Sequence, residues 1–363
     1  MKFTCKQSVL NEAVNNVSRA VPQKSPVSAL EGIKMYLDKN TLELTGYDLE
    51  LGIQTKIQVD SEDHGEFTVN AKLFAEIIRK MPSEDVSVEI NDKLKATIKG
   101  GDAEYNILAL SADDYPSMPD YDTSDSITIS QGLLKNMIGQ TIFAVSVSDN
   151  KPILTGELFD IENGIFNLVA IDGFRLAVRT EKLNTEDRHH FVVKAKALSE
   201  VSKLLKDDGD DPVNMYLSRK HIVFDINGYM VISRLLEGEF HPYKSAIPST
   251  WTTEVVVDRV KLIRTLERCL LLINEKNPSA VRCMFDNGQI SIKCATRSLG
   301  KVHDEISADI NGTSMEIGFK CRFFLDPLKA VSDEKVKLQL GGSLLPMKII
   351  PLNGESYTYL VLP

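Results

Sequence analysis

EFTVNAKLFAEIIRKM, residues 66–81, changes its period halfway along. Phe67 and Val69 alternate with polar neighbours as on a strand, whereas Phe74, Ile77, Ile78 and Met81 recur at the three- and four-residue steps of a helix face. The pattern returns as HFVVKAKALSEVSKLL (190–205) and SMEIGFKCRFFLDPLKAV (314–331), with Phe67, Phe191 and Met315 spaced by 124 residues. A second series has the same build: FTCKQSVLNEAVNNVSRAV (3–21), ITISQGLLKNMIGQTIFAV (127–145) and VVVDRVKLIRTLERCLLL (255–272). In it Leu10, Leu134 and Leu262 are spaced by 124 and 128. Two series sharing one period make the chain a threefold repeat, each copy consisting of two halves of strand, helix and further strands.

Strand-like runs such as ATIKG, YNILAL, IVFDI and YMVISRLL fill the space between the helices. Copies one and two end in similar Pro-containing linkers, LSADDYPSMPDY (110–121) and LEGEFHPYKSAIP (236–248). The expectation is an α+β fold of three domains, 1–122, 123–249 and 250–363, each with two helices on antiparallel sheets. A length of 363 residues with 43% hydrophobic and 26% charged content suits a soluble protein with several cores. MKFTCKQSVL lacks the apolar run of a signal peptide, and no stretch approaches the roughly 18 apolar residues of a membrane span. A cytoplasmic protein with no membrane partner is expected. Cys5, Cys269, Cys283, Cys294 and Cys321 are odd in number and form no C-x-x-C pair, so buried thiols are expected rather than disulfides or a zinc site.

The net charge of −9, taken alone, argues against a polyanionic partner. Its placement argues the other way. The helical windows 8–21, 71–81, 131–144, 194–206, 258–270 and 320–331 hold 16 basic and 6 acidic residues, leaving 26 against 45 elsewhere. Lys72/Arg79, Lys196/Lys203, Lys261/Arg268 and Arg322/Lys329 lie seven apart, two helical turns, so each pair shares a face. Lys72, Lys196 and Lys320 also fall at equal repeat positions. Any one of these lysines is most simply a solvated helix face. Six helices with one bias inside an acidic chain imply more: placed on one side, they attract a polyanion through its phosphates, without reading sequence. They lack interleaved aromatics for base stacking and show no recognition helix, so duplex is expected over single strand.

Chemistry is harder to find. There is no Walker-type glycine loop and no G-x-S-x-G. His64, His189, His190, His221, His241 and His303 fall mostly in linker- or turn-like contexts, and His189-His190 has no Cys or His at ligand spacing. Glu62-Asp63, Asp113-Asp114, Asp207-Asp208 and Asp210-Asp211 read as acidic turns rather than catalytic pairs. No catalytic residue, metal or cofactor is expected.

The opening MKFT, VSRAVPQKSPVSALEGIKMYL (17–37), LTGYDLELGI (44–53), KPILTG (151–156), AIDGFRLAV (170–178) and EIGFKCRFFLDPLKAV (316–331) resemble the β sliding clamp family of bacterial DNA polymerase III. The resemblance runs through the whole chain in order. It implies a DNA-clamp fold closed as a head-to-tail homodimer: a six-domain ring with helices lining the hole, sheets outside, and double-stranded DNA passing through. The clamp would tether DNA polymerase to its template. Implied partners are the DNA polymerase III α subunit, the clamp loader and other proteins with a clamp-binding motif. By resemblance Lys24, Lys72, Lys196 and Lys203 face the DNA; Arg79, Lys80, Arg264 and Lys320 of the helical windows are expected to join them. Tyr105 and Ile107 match the dimer contact, with Leu271 and Leu272 as counterparts at the other end. The alternative for Tyr105 is simple core.

The family's protein-binding pocket matches Leu154, Ile171, Gly173, Phe174, Arg175, Leu176, Pro242, Ala246, Leu360, Val361 and Leu362. Partners would insert a short peptide with apolar anchors. Three features depart from the family pattern. Phe174 stands where His or another polar residue is usual, FHPYKSAIP lacks the Pro-Asp before Tyr and the basic residue at Ser245, and the sequence ends at Pro363 where relatives often continue. An altered partner pocket on an intact ring is expected, with a divergent or accessory clamp as one form of it. The competing reading is an arc- or ring-shaped scaffold that binds peptides but not DNA. Within AIDGFRLAV, Asp172 aligns with Asp48 and Thr296 at steps of 124, so the position is first a turn; only copy two adds Gly173 and Arg175.

Overall fold

The computed structural model describes residues 1–123, 126–148, 150–185, 187–207, 209–274 and 276–363, so Asp208 of the acidic run lies outside the described residues. Each copy runs strand, helix, three strands, and then does so again. The helices are α1 (Gln7–Val17), α2 (Ala71–Arg79), α3 (Gln131–Thr141), α4 (Ala195–Leu204), α5 (Arg259–Leu270) and α6 (Cys321–Ala330). All six fall inside the windows expected from periodicity, apart from Gln7 at the start of α1. In α2 the apolar stripe is the cause: Phe74, Ile77 and Ile78 are buried while Lys72, Glu76 and Arg79 are exposed. The Asn70 side chain caps it by accepting the Leu73 N–H at 3.0 Å. In α4, Leu198 and Val201 are buried, and Leu205 just beyond it, but Leu204 is only half-buried.

Two compact units divide the chain, Met1–Gly132 with Ser199–Leu235 and Leu133–Leu198 with Leu236–Pro363, so the division runs through the middle copy. Each unit holds one long and one short antiparallel sheet. In the first, nine strands run Ser126–Ser130, Pro212–Leu217, His221–Ile226, Tyr229–Leu236, Leu51–Gln58, Thr41–Tyr47, Gly32–Asp38, His64–Asn70 and the end of Ala103–Ser111. Lys2–Lys6, Asp85–Ile90, Lys95–Gly100 and the start of Ala103–Ser111 form the short sheet.

In the second unit the long sheet runs His189–Lys194, Gly156–Glu162, Ile165–Ile171, Arg175–Lys182, Tyr357–Val361, Met347–Ile350, Lys335–Leu340, Thr253–Asp258 and the end of Gly300–Gly312. The short one is Met315–Lys320, Ala280–Asp286, Gln289–Thr296 and the start of Gly300–Gly312. In each long sheet a single pairing joins successive copies. Leu51–Thr55 meets Tyr229–Ser233 at the first junction, and Arg175–Arg179 meets Tyr357–Val361 at the second.

Three expectations are corrected. Lys320 is not the counterpart of Lys72 and Lys196. Those two are the second residues of α2 and α4, whereas Lys320 precedes α6, and Arg322 takes the second place. Gly300–Gly312 runs 13 residues where Leu51–Gln58 and Arg175–Lys182 run 8, and the third copy is two residues out of step by its second helix. Ile317, which faces Cys283, therefore takes the place of Phe67 and Phe191, and Met315 does not. The histidines are also not turn residues: His64, His189, His190, His221 and His303 lie on strands, and His241 alone is in a linker. The five cysteines are buried free thiols. No helix among the described residues is long and apolar enough to cross a membrane.

Candidate functional site

Every one of Lys24, Lys72, Arg79, Lys80, Lys196, Lys203, Arg264 and Lys320 is exposed. Their surroundings differ. Lys24 and Lys72 line one cavity of about 520 Å3 beside the start of α2, with Ser18, Glu31 and Asn70. Arg79 and Lys80 share Glu76, at 2.6 and 3.9 Å, and Lys203 pairs with Glu200 at 2.8 Å, which Arg19 also approaches at 3.6 Å. The Glu76 pairs are exposed on both sides and worth little to stability, so a phosphate can compete for their cations. Lys320 lies over the Phe323 ring, 4.2 Å from its centroid.

Tyr105 is not core. It is 42% exposed on Ala103–Ser111, and Leu108 beside it is 80% exposed. Tyr105 and Ile107 face Ile98 and Ala96 across the one pairing this stretch makes among the described residues, which leaves its outer edge open. Leu271, just past α5, is 78% exposed and Leu272 half-buried. In the second unit residues 300–307 present a second open edge, pairing only with Gln289–Thr296 among the described residues. Sequence reading missed that edge, because KVHDEIS alternates too weakly to stand out. Open strand edges, with their unpaired N–H and C=O groups, invite another chain.

The pocket positions separate by strand face. Leu154, Ile171, Leu176 and Leu360 join one apolar cluster with Leu158, Phe240 and Tyr243. Val361 points the other way, fully buried in the neighbouring core with Ala170 and Ala177, because successive strand residues face opposite sides. Pro242 and Ala246 are exposed on the linker, Leu362 is 37% exposed, and the Leu362 N–H donates to the Phe174 carbonyl at 2.9 Å. Gly173 sits at φ +90°, a conformation that favours glycine, and Phe174 beyond it is 60% exposed.

The turn is as expected from its Asp: Asp172 Oδ1 accepts the Phe174 and Arg175 N–H groups at 2.9 and 3.0 Å. Arg175 is not a free arm. Its Nε donates to Asp172 Oδ2 at 3.0 Å and its Nη1 to Asp326 Oδ2 at 2.5 Å, with the guanidinium 4.5 Å from the Phe323 centroid and 5.5 Å from that of Phe143. Phe174 lies 5.9 Å from Phe323 in turn. Asp326, Phe323 and Phe143 carried no sequence signal of this role; Asp326 is 151 residues away. Among the described residues no group of three or more His, Cys, Asp or Glu could hold a metal.

Three family models match in order: the N-terminal domain of the DNA polymerase III beta subunit over residues 1–119, its central domain over 128–242 and its C-terminal domain over 244–363. The chain is 33% identical to the beta sliding clamp of Bacillus subtilis across all of this chain and 99% of that protein. The crystal structure of the B. subtilis DNA polymerase sliding clamp is similar at a TM-score of 0.96 and 32% identity, over 100% of this chain and 98% of that one. A Pseudomonas aeruginosa sliding clamp bound to griselimycin is similar at 0.94 and 27%, over 100% and 99%. The fold is thus the three-domain sliding-clamp fold, and the chain belongs to the DNA polymerase III beta-subunit family, the bacterial sliding clamps that act as processivity factors.

Proposed function

We propose that two copies of this chain close head to tail into a six-domain ring around double-stranded DNA, and that partners dock in the groove at the second junction. The observation that carries the reading is the whole-length similarity to sliding clamps, with a TM-score of 0.96 and all three family domains in order. The domains are 1–122, 123–249 and 250–363. The eight exposed cations from Lys24 to Lys320 meet phosphates, and their salt-screened attraction lets the ring slide. Tyr105 and Ile107 of one copy meet Leu271 and Leu272 of the next, with the two open strand edges brought together. The groove from Leu154 to Leu362 takes peptide segments of the DNA polymerase III α subunit, the clamp loader and other partners. The chain performs no chemistry of its own and works in the cytoplasm, on the chromosome.

The test is topological. Loaded on nicked circular DNA by a clamp loader, the protein is expected to stay with the circles through gel filtration and to be lost when they are linearised. Equal retention on linear DNA, or none on circles, sinks the ring and leaves the peptide scaffold. Lys72→Glu with Lys196→Glu should reduce retention while peptide affinity stays unchanged.

A further inference from the structure

Behind the linker at the second junction lies a cluster that the groove reading does not use. Asp160, on Gly156–Glu162, is 7% exposed. Its Oδ2 accepts the Tyr243 hydroxyl at 2.7 Å and lies 3.1 Å from Lys244 Nζ; its Oδ1 lies 3.2 Å from His190 Nδ1. His190 is the cross-strand neighbour of Asp160, but Tyr243 and Lys244 belong to the linker, in the single 3-10 turn Tyr243–Ala246. Burial works to raise the pKa of the Asp160 carboxyl; the bonds from Tyr243, Lys244 and His190 outweigh it and hold the group below the usual carboxylate range. One ionised carboxylate thus ties two linker side chains to the sheet.

What it ties down is the rim. Tyr243, 5% exposed, packs in the apolar cluster of Leu154, Ile171, Leu176 and Leu360, and the Lys244 ammonium lies 5.6 Å from its ring centroid. Pro242 precedes Tyr243 and Ala246 closes the same turn. The Ser245 hydroxyl donates to the Pro242 carbonyl at 2.8 Å, which keeps the two ends of the turn together. The first junction offers a contrast within the same chain. There the linker's buried Tyr115 gives its hydroxyl to a neutral acceptor, the Thr45 carbonyl, at 3.2 Å. The charged clasp is found at the second junction, where the proposed groove lies.

We propose that Asp160 is a positioning residue for partner binding: its carboxylate clasps the linker through Tyr243 and Lys244 and holds Pro242 and Ala246 where an extended apolar peptide can pass. This rests on the groove reading above. Charge-assisted bonds to a buried carboxylate are directional, so the clasp fixes the turn's placement as well as its energy.

The experiment uses the full chain and a short fluorescein-labelled peptide with Leu and Phe anchors, read by anisotropy. Tyr243→Phe, which removes one charge-assisted bond, should weaken the peptide about tenfold, and Asp160→Ala, which removes both linker ties, at least tenfold. The double variant should be no weaker than Asp160→Ala alone. Asp160→Asn, which keeps an acceptor without the charge, should fall between. Amide exchange should quicken across residues 243–247, and retention on circular DNA should hold. Leu362→Ala reports on the groove itself. If it weakens the peptide while Asp160→Ala binds as wild type, the clasp is overturned and the groove stands. Additive losses in the double variant, or loss of circle retention with Asp160→Ala, overturn it too. No binding by the wild type removes the groove and the clasp together.

Discussion

At the first junction Leu51–Thr55 pairs with Tyr229–Ser233, and at the second Arg175–Arg179 pairs with Tyr357–Val361. Each pairing follows a turn whose Asp accepts two backbone N–H groups: Asp48 from Glu50 and Leu51, Asp172 from Phe174 and Arg175. From there the two diverge. Leu49 is held at φ +74° where copy two has Gly173, so the first turn carries a strain that the second avoids. Gly52 stands where copy two has Leu176. A Cβ on Gly52 would lie 2.3 Å from Met118 Sδ and 2.8 Å from Ile232 Cγ2, so the chain's own linker covers that strand. At the second junction the linker offers Tyr243 to the cluster and leaves Phe174 and Leu362 exposed. The first linker thus lies over the strand at Gly52, beside a cavity of about 310 Å3 lined by Thr45, Tyr115, Met118 and Ile232. At the second junction Leu176 fills that place and the linker packs Tyr243 beside it.

The sharpest way to break this contrast is at Arg175. Its guanidinium holds Asp172 and Asp326, and both Arg175 and Asp172 have side chains 12% exposed. Arg175→Ala leaves those carboxylates without their cation and is expected to cost about 3–5 kcal/mol, read as a shift in the urea midpoint. Leu51, at the same place in copy one, carries no such network. A cost for Arg175→Ala below about 1 kcal/mol would mean that the cluster is solvated and the wall of the groove is soft.

The reverse substitution tests the seam. Gly52→Leu brings the copy-two residue into copy one and should destabilise the protein by about 1–3 kcal/mol, because the linker side chain already occupies the space. Met118→Ala alone should cost less, and combined with Gly52→Leu it should recover most of the loss. Simple addition of the two costs would show that Met118 does not fill the place of the missing side chain.

The long sheets differ also in their cores. Glu157 is fully buried where copy one has Ile33 and copy three Val281, both fully buried. Among the described residues neither of its carboxylate oxygens has a partner at hydrogen-bond geometry; burial raises its pKa more than the nearby Thr141 hydroxyl, which donates to the Met137 carbonyl at 2.8 Å, lowers it. Burial pushes its pKa up to about 8. A carboxyl raised in the folded state keeps a proton that the unfolded chain releases, so stability falls as pH rises from about 4.5 and levels off above about 8. Glu157→Val should remove that slope and raise stability at neutral pH by about 1–3 kcal/mol. Urea midpoints at acid and alkaline pH that run parallel in both proteins would refute it.

The parts legible in the sequence are those set by local periodicity. The six helices, the Asp48 and Asp172 turns and the buried stripe of α2 all follow from spacing and turn chemistry that need no knowledge of the far chain. What stayed hidden depends on distant residues or on count. Asp326 and Phe323 reach Arg175 only because the third copy folds back beside the second, and Asp160 meets Tyr243 across 83 residues. The false match of Lys320 to Lys72 came from a two-residue change in step that periodicity alone does not place. Val361 resembles its pocket neighbours in sequence, but a strand turns every second side chain away, and this one lies buried in the neighbouring core.

Phe174 carries the smallest expected effect. Its ring is 60% exposed, touches Phe323 at a centroid distance of 5.9 Å, and follows a glycine whose Cβ position is open on all sides. Little apolar surface leaves water there on folding, so Phe174→His should change stability by no more than about 0.5 kcal/mol. The same exposure leaves the ring free for an incoming peptide, and a histidine offers less apolar area with a polar edge. The Leu- and Phe-anchored peptide should therefore bind the variant more weakly, by about 1 kcal/mol or less. Glu50, in the same place at the first junction, should tolerate Glu50→His with no change in that binding. If Phe174→His shifts stability more than affinity, the ring belongs to the packing around Arg175 and not to a peptide contact.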